Sequence, residues 1–334
     1  MIDIKSLKKT LEDKIGKCDK VVIIPHNNAD FDAIGSAIGL SLICRELNKP
    51  ATIIVNDPPH IIEPGVKQII TECNKEFEIL KKDKYLKHKE DNELFILTDV
   101  NKRKLICVDD CLPDPDNIII IDHHNSDSNT VQTKNTFIDA SKSSASEILT
   151  EVLQEMNIAI PSNVANYLYA GIYLDTAKLT KNCKSSTMHL AGDLLSVGAD
   201  INKVNEFFKI ELESYRRVQN LLINNIKINS CLIALIKANE DEEYTIEELA
   251  KTADDALKFG ADASFAIGRV EDNLVYISGR SSSKVYIGKI MEKVAPTGLG
   301  GGHQYMGAAR LYDKTIDEAY SILVKELKPY YYCK

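Results

Sequence analysis

A chain of 334 residues is too long for one ordinary core and suits two domains. Its hydrophobic fraction of 44% and charged fraction of 27% mark a globular protein, and no apolar run approaches the roughly 20 residues of a membrane span. The net charge of −8 argues against a protein that coats long nucleic acid through a basic surface, and leaves a small phosphorylated ligand open.

In chain order, "MIDIKSLKKTLEDKIGKCDK" reads as an amphipathic helix with no apolar stretch like that of a signal peptide, so a cytoplasmic protein is expected. Strand-like runs follow at "KVVIIPH", "ATIIVND", "ELFILTD" and "NIIIIDHH", with "DAIGSAIGLSLICRELN" as a helix after the first. Continuous apolar strands separated by helices predict a parallel sheet covered on both faces. The basic run "KKDKYLKHKE", residues 81 to 90, reads as a solvated surface segment. From residue 141 the pattern is helical: "SKSSASEILTEVLQEMN", "SNVANYLYAGIYLDT", "SSTMHLAGDLLSVG" and a long continuous "INKVNEFFKIELESYRRVQNLLINN" that leads into a second domain. Beyond about residue 226, "KINSCLIALIKA", "DASFAIGRVEDNLVYISGRS" with a turn at "VEDN", and the helix "VYIGKIMEKV" predict a smaller mixed α/β unit. The fold class is therefore α/β: a parallel-sheet domain over 1–208 with helices on both faces, a helical linker over 209–225, and a smaller mixed α/β domain over 226–334. The eight cysteines are scattered and form no disulfide framework, and Cys107 and Cys111, four apart, lack the two further ligands of a zinc site.

The first, third and fourth of these predicted strands end in candidate ligands: His26, Asp99, and Asp122 with His123 and His124. Ligands of open α/β sheets bind beyond the carboxyl ends of the strands. Gathered there are His26, Asp30, Asp32, Asp99, Asp122, His123 and His124, with Asp175 closing the apolar "GIYLDTAKL". One such aspartate would read as a turn or helix cap. Several segments converging on one sheet edge read as a metal site. Carboxylates with imidazoles suit divalent manganese, iron or zinc, and the absence of cysteine argues against structural zinc. The set is too large for one ion and suits two, bridged by one carboxylate, as in hydrolases that clamp a transferring phosphoryl group.

The stretches "HNNADFDAIGS", "LTDV", "IIDHHNS" and "GIYLDT" resemble, in order, the four metal-binding motifs of the DHH phosphoesterase superfamily, and "GLGGGHQYMGAA" at 298–309 resembles the glycine-rich signature of its associated C-terminal domain. Within the superfamily, "SASEILTEVLQEM", "LAKTADDALKFGADASFAIGR", "ISGRSS" and "KIMEKV" look most like the catalytic part of bacterial cyclic-di-AMP phosphodiesterases. The resemblance implies that His26 and Asp30 hold a first metal, that Asp32, His123 and Asp175 hold a second, and that Asp99 bridges. It implies two divalent ions, with manganese expected. Asp122 would orient a ligand, and His124 would face the substrate phosphate. Arg280 and the loop Gly300, Gly301, Gly302 and His303 would hold the nucleotide, since glycines let backbone N–H groups approach phosphate and arginine can grip it with two parallel bonds. Asn28-Ala29, Leu179 and Leu299 depart from the usual motifs without touching a metal ligand.

The implied reaction is hydrolysis of cyclic di-AMP, of the linear dinucleotide pApA, or of both, to AMP. An oligoribonuclease or 3′-phosphoadenosine 5′-phosphate phosphatase of the same superfamily is the alternative. A single-strand exonuclease, a pyrophosphatase and a non-enzymatic nucleotide sensor rank below it. The expected partner is a small nucleotide, with a homodimer admissible, and neither long nucleic acid nor a membrane is expected.

Overall fold

The computed structural model describes residues 2–56, 64–209, 211–282, 285–296, 299–302 and 304–332. The chain divides into two compact units, Met1–Lys209 and Ile210–Lys334. In the first, the elements run α1 (Ile4–Lys17), β1 (Lys20–Ile24), α2 (Phe31–Glu46), β2 (Ala51–Val55), α3 (Pro64–Cys73), β3 (Glu78–Lys81), α4 (Lys82–Leu86), β4 (Glu93–Thr98), β5 (Ile118–Asp122), β6 (Asn135–Ile138), α5 (Ala145–Glu155), α6 (Ser162–Asp175), α7 (Ser185–Ser196) and α8 (Ile201–Phe207). Among the described residues the sheet has six strands in the order β3-β2-β1-β4-β5-β6, every neighbouring pair parallel.

The continuous apolar runs follow from burial on both faces. Val21 and Ile23 of β1 join the core formed with α1, α2, α5 and α6, while Val22 and Ile24 join a second core on the reverse face. The first face is covered by long helices. The reverse face is covered by shorter pieces: α4, which inserts buried Tyr85, and a stretch of single 3-10 turns at Arg103–Leu105, Asp109–Cys111 and Pro115–Asn117. The basic run 81–90 is largely exposed around Tyr85, whose hydroxyl donates to Glu93 Oε2 at 2.5 Å. Two strands of this unit escaped the sequence reading, β3 and β6, both short and only partly apolar.

β1 lies between β2 and β4, so the chain leaves it in one direction and later returns on its other side. That reversal opens a crevice at the carboxyl ends of β1 and β4, the place where doubly wound sheets bind ligands.

In the second unit α9 (Leu212–Asn225), β7 (Ile226–Ile228), β8 (Ile233–Lys237), α10 (Ile246–Leu257), β9 (Ala263–Glu271), β10 (Leu274–Ser281), α11 (Ile287–Val294), β11 (Gly300–Gly302), β12 (Met306–Tyr312) and α12 (Ile316–Leu327) form a mixed sheet ordered β11-β12-β10-β9-β8-β7. Among the described strands of this sheet only β8 and β9 run parallel, joined by the crossover helix α10. The expected β9–β10 hairpin turns at Asp272-Asn273.

The segment expected as one continuous helix over 201–225 is two helices. Val204 and Phe207 of α8 are buried in the first unit's core, whereas Leu221 and Leu222 of α9 are buried in the second's. α8 ends at Phe207 and α9 begins at Leu212, and the stretch expected as a linker is for the most part a helix of the second unit.

Candidate metal centre and nucleotide-binding residues

Each element of the first unit delivers its polar residue at the same sheet edge. His26 stands two residues beyond β1. Its Nδ1 donates to the Asn27 carbonyl at 2.8 Å, which turns Nε2 toward Asp30 Oδ2 at 3.5 Å and Asp99 Oδ2 at 3.4 Å. Asp30 is the N-cap of α2: its Oδ1 accepts from the Asp32 and Ala33 amides at 2.9 and 3.0 Å, leaving Oδ2 for the site. The side chain that caps α2 thus also faces His26.

Asp32, fully buried in the first turn of α2, is gripped by the N-terminus of α5. Its Oδ2 accepts from the Ala145 amide and its Oδ1 from the Ser146 amide, both at 2.7 Å. Helix N-termini stabilise anions in this way. Glycine permits the arrangement, because a Cβ on Gly171 would lie 2.3 Å from Ser146 Oγ and 2.8 Å from Asp32 Oδ1. One turn later on the same face of α6 comes Asp175, whose Oδ2 lies 3.1 Å from His123 Nε2.

Asp99 follows β4 with a left-handed backbone, φ 57°, a conformation that aspartate tolerates better than most residues. Its Oδ2 faces His26, and its Oδ1 lies 3.3 Å from His123 Nε2 and 3.4 Å from His124 Nδ1. Asp122 ends β5 fully buried. Its Oδ1 accepts from the His123 and His124 amides at 2.7 and 3.1 Å and from His124 Nδ1 at 2.8 Å. Asp122 therefore holds both the loop and the ring of His124.

Ligand-capable atoms fall into overlapping groups. His26, Asp30 and Asp99 form one, Asp32, His123 and Asp175 another, and Asp99, Asp122, His123 and His124 a third. No cysteine belongs to these groups among the described residues. Burial pushes the Cys107 thiol up to about 11, as befits an inert thiol.

The electrostatics show that the cluster lacks positive charge. Burial, with Asp99 and Asp175 close by, raises the Asp32 carboxyl well above the usual carboxylate range. Burial raises Asp175 to about 6 despite the neighbouring His123. Burial alone would lower the His26 and His123 imidazoles, but adjacent carboxylates outweigh it, Asp30 and Asp99 for His26 and Asp175 and Asp99 for His123, and both are raised well above their ordinary value. For His124 the hydrogen bond to Asp122 and the charge of Asp99 likewise overcome burial and raise it. Asp99 shifts the other way: the two histidines overcome burial and lower it. The site thus gathers protons where cations would serve. Among the described residues Asp99 Oδ1 and His123 Nε2 find no hydrogen-bond partner, although both are buried. An orphaned pair inside a carboxylate–imidazole set fits divalent metal binding.

The sequence reading missed Asn101. Its side chain, 1% exposed, donates to Asp122 Oδ2 at 2.6 Å and to the His124 carbonyl at 3.3 Å, so it fixes the carboxylate that fixes His124. Its signal was slight, one polar residue two positions after a strand-end aspartate. The Ala145 and Ser146 amides could not be foreseen as partners of Asp32, because the contact spans more than a hundred residues.

In the second unit Arg280 is already engaged. Its Nε donates to Asp254 Oδ2 at 3.1 Å, and its Nη1 donates to Ser278 Oγ at 3.1 Å and the Gly279 carbonyl at 3.0 Å. The three glycines have unequal roles. A Cβ on Gly300 would lie 1.9 Å from the Met291 carbonyl oxygen, and one on Gly302, whose φ is +140°, would lie 2.4 Å from Gly307 Cα. Those two glycines are required by packing. At Gly301 a Cβ would meet none of the described residues within 4 Å. His303 lies outside the described residues.

Residues 20–172 match the model of the DHH family N-terminal domain, and residues 228–328 match that of the DHHA1 domain. The cyclic-di-AMP phosphodiesterase PdeA of Listeria monocytogenes is 28% identical over 333 residues, covering 97% of this chain and 50% of that protein. The bifunctional oligoribonuclease and PAP phosphatase NrnA of Mycoplasma pneumoniae is 27% identical over 194 residues, 56% of each chain. A crystal structure of an exopolyphosphatase-related protein from Bacteroides fragilis superposes with a TM-score of 0.82 at 23% identity, covering 99% of this chain and 97% of that one. The chain spans about half the length of the first curated relatives it matches.

Proposed function

From a chain that carries the DHH N-terminal domain and the DHHA1 domain, we propose a two-metal phosphodiesterase that hydrolyses cyclic di-AMP, the linear dinucleotide pApA, or both, to AMP. The observation that carries the reading is Asp99, whose two oxygens face two different ligand sets, His26 with Asp30 and His123 with Asp32 and Asp175. One carboxylate so placed is what a pair of bridged ions requires.

His26 and Asp30 would hold the first ion, Asp32, His123 and Asp175 the second, and Asp99 both. Manganese is the ion proposed, on the mixed oxygen and nitrogen donors. Two such ions would supply a water acidic enough to act as nucleophile near neutral pH and positive charge for the phosphoryl oxygens. Asp122, braced by Asn101, holds the His124 ring so that it can donate to a phosphoryl oxygen as charge develops there. Arg280 and Gly301 bind the rest of the nucleotide, which positions the scissile bond. His303 is proposed beside them on the motif alone. Gly300 and Gly302 would shape the loop rather than touch substrate. Cytoplasmic residence and a homodimer belong to this proposal too. Among the described residues no helix is long and apolar enough to cross a membrane.

Support for the adenine dinucleotide comes from the similarity to PdeA along nearly the whole chain. The similarity to NrnA favours a second reading, cleavage of short RNA and dephosphorylation of 3′-phosphoadenosine 5′-phosphate. Product chromatography over time, with manganese and each of cyclic di-AMP, pApA, short RNA and 3′-phosphoadenosine 5′-phosphate, separates them. Prompt AMP or pApA from an adenine dinucleotide is expected. Neither product, with brisk phosphate release from 3′-phosphoadenosine 5′-phosphate, would replace the first reading by the second.

A further inference from the structure

Arg280 is held by a residue to which the sequence motifs assign no role. Asp254 lies on α10, and its Oδ2 accepts from Arg280 Nε at 3.1 Å. Ser278, 1% exposed, and the Gly279 carbonyl take Nη1. Two of the three guanidinium nitrogens are therefore tied to the protein, and their bonds fix the plane of the group. Nη2 has no partner among the described residues, so it is the nitrogen left to meet an anion. As a surface ion pair this contact would add little to stability, since the Asp254 side chain is 54% exposed against 18% for Arg280.

Its placement is nevertheless rigid. Ser264 stands directly opposite Arg280 in the β9–β10 ladder. The buried Ser264 hydroxyl donates to the carbonyl of Ala253, the residue before Asp254, at 2.5 Å. The turn of α10 that carries Asp254 is thus bonded to the strand pair that carries Arg280.

We infer that Asp254 is a positioning residue for substrate binding: it sets the Arg280 guanidinium in the orientation that receives a nucleotide phosphate. This rests on the proposed function, in which Arg280 binds that phosphate. An arginine side chain has many rotamers, and one ordered beforehand need not be ordered when the ligand arrives.

The test is a double-mutant cycle on the full chain with manganese and pApA, reading KM and kcat separately, with thermal unfolding to verify that each variant is folded. Asp254→Ala should raise KM about tenfold, the order expected when one rotamer-rich side chain must be fixed at binding, with kcat little changed. Asp254→Asn, which keeps an acceptor oxygen, should recover most of the loss. In an Arg280→Ala background, Asp254→Ala should have no further effect, because Asp254 acts only through the arginine. An unchanged or lowered KM in Asp254→Ala would overturn the inference, the lowered value identifying Asp254 as a competitor of the phosphate. An equal rise in the Arg280→Ala background would overturn it too, by exposing an effect that bypasses the arginine. Should Arg280→Ala itself leave KM unchanged, the assignment of substrate to Arg280 falls, and the inference falls with it. That outcome is distinct from a raised KM in Arg280→Ala alone, which would sink only the role of Asp254.

Discussion

Adjacent glycines in the 300–302 loop should respond oppositely to the same added methyl group. At Gly300 the new Cβ would sit 1.9 Å from the Met291 carbonyl oxygen and 3.0 Å from that of Ala295, both backbone atoms at the end of α11 that cannot swing aside. Overpacking of that kind costs about 3 kcal/mol or more, which should lower the melting temperature by roughly 10 °C. At Gly301 the Cβ meets none of the described residues within 4 Å and the backbone is not in the left-handed region, so Gly301→Ala should fold normally. Reduced freedom of the unfolded chain should even stabilise it by about 0.5 kcal/mol. The space at Gly301 is the room the proposed nucleotide would occupy. Gly301→Leu should therefore keep its melting temperature and metal content and raise KM for pApA at least about tenfold, a loss near 1.4 kcal/mol. Thermal unfolding and timed chromatography of AMP release measure both effects. A Gly301→Leu enzyme with wild-type KM would refute the placement of the nucleotide there, and an unaltered melting temperature in Gly300→Ala would refute the packing argument.

Further expectations concern the metal centre. Protein purified with manganese should contain close to two ions per chain by elemental analysis, and Asp99→Ala should lose both ions or all turnover; a fully active variant would end the bridging scheme. Asn101→Ala would leave Asp122 Oδ2 buried without its 2.6 Å donor. The cost should be about 1–3 kcal/mol in thermal or denaturant unfolding, with a larger fall in kcat than in metal content because the His124 ring loses its brace. Metal-free protein should lose stability as pH rises. Asp175 is raised from 3.8 to about 6, and the Asp32, His26 and His123 values are raised as well, so the folded state binds protons that the unfolded state has released. The Asp175 contribution is full below pH 3.8 and is lost as pH rises through about 6. Asp99, lowered, acts in the opposite sense only at strongly acid pH. Cations compete with those protons, so the manganese-induced rise in melting temperature should be larger at about pH 7.5 than at about pH 5; equal shifts would contradict it.

The sequence disclosed the first unit better than the second, for a physical reason. Strands buried on both faces are almost uninterrupted apolar runs, and four of the first unit's strands are of that kind. The two that escaped notice, "EILK" and "NTFI", lie at the sheet's edges, where one neighbour suffices and polar residues are tolerated. In the second unit the helices α10 and α12 had legible starts that the strand-centred reading passed over. Each opens with a capping box, Thr245 with Glu248 and Thr315 with Glu318, as "TIEE" and "TIDE". The break between α8 and α9 was hidden because both halves are amphipathic with the same period; which core each half faces is a tertiary fact.

For the site, the ends of strands were a sound guide to residues and a poor guide to what holds them. His26, Asp99, Asp122 and His123 converge because parallel strands of one sheet share one carboxyl edge, and that follows from topology alone. Asp32 and Asp175 converge by another route. α2 and α6 pass close enough only because glycine stands at Gly35, where a Cβ would lie 2.5 Å from the Tyr167 carbonyl oxygen, and at Gly171, where it would meet Ser146 and Asp32. The two glycines carry no chemistry, and within apolar helices they look like weak points. Their cost in helix propensity, about 1 kcal/mol each, is what lets two carboxylates from different helices approach one histidine. A binding residue advertises itself by its own type, whereas the residue that makes room for it is recognised only once the helices are seen to cross.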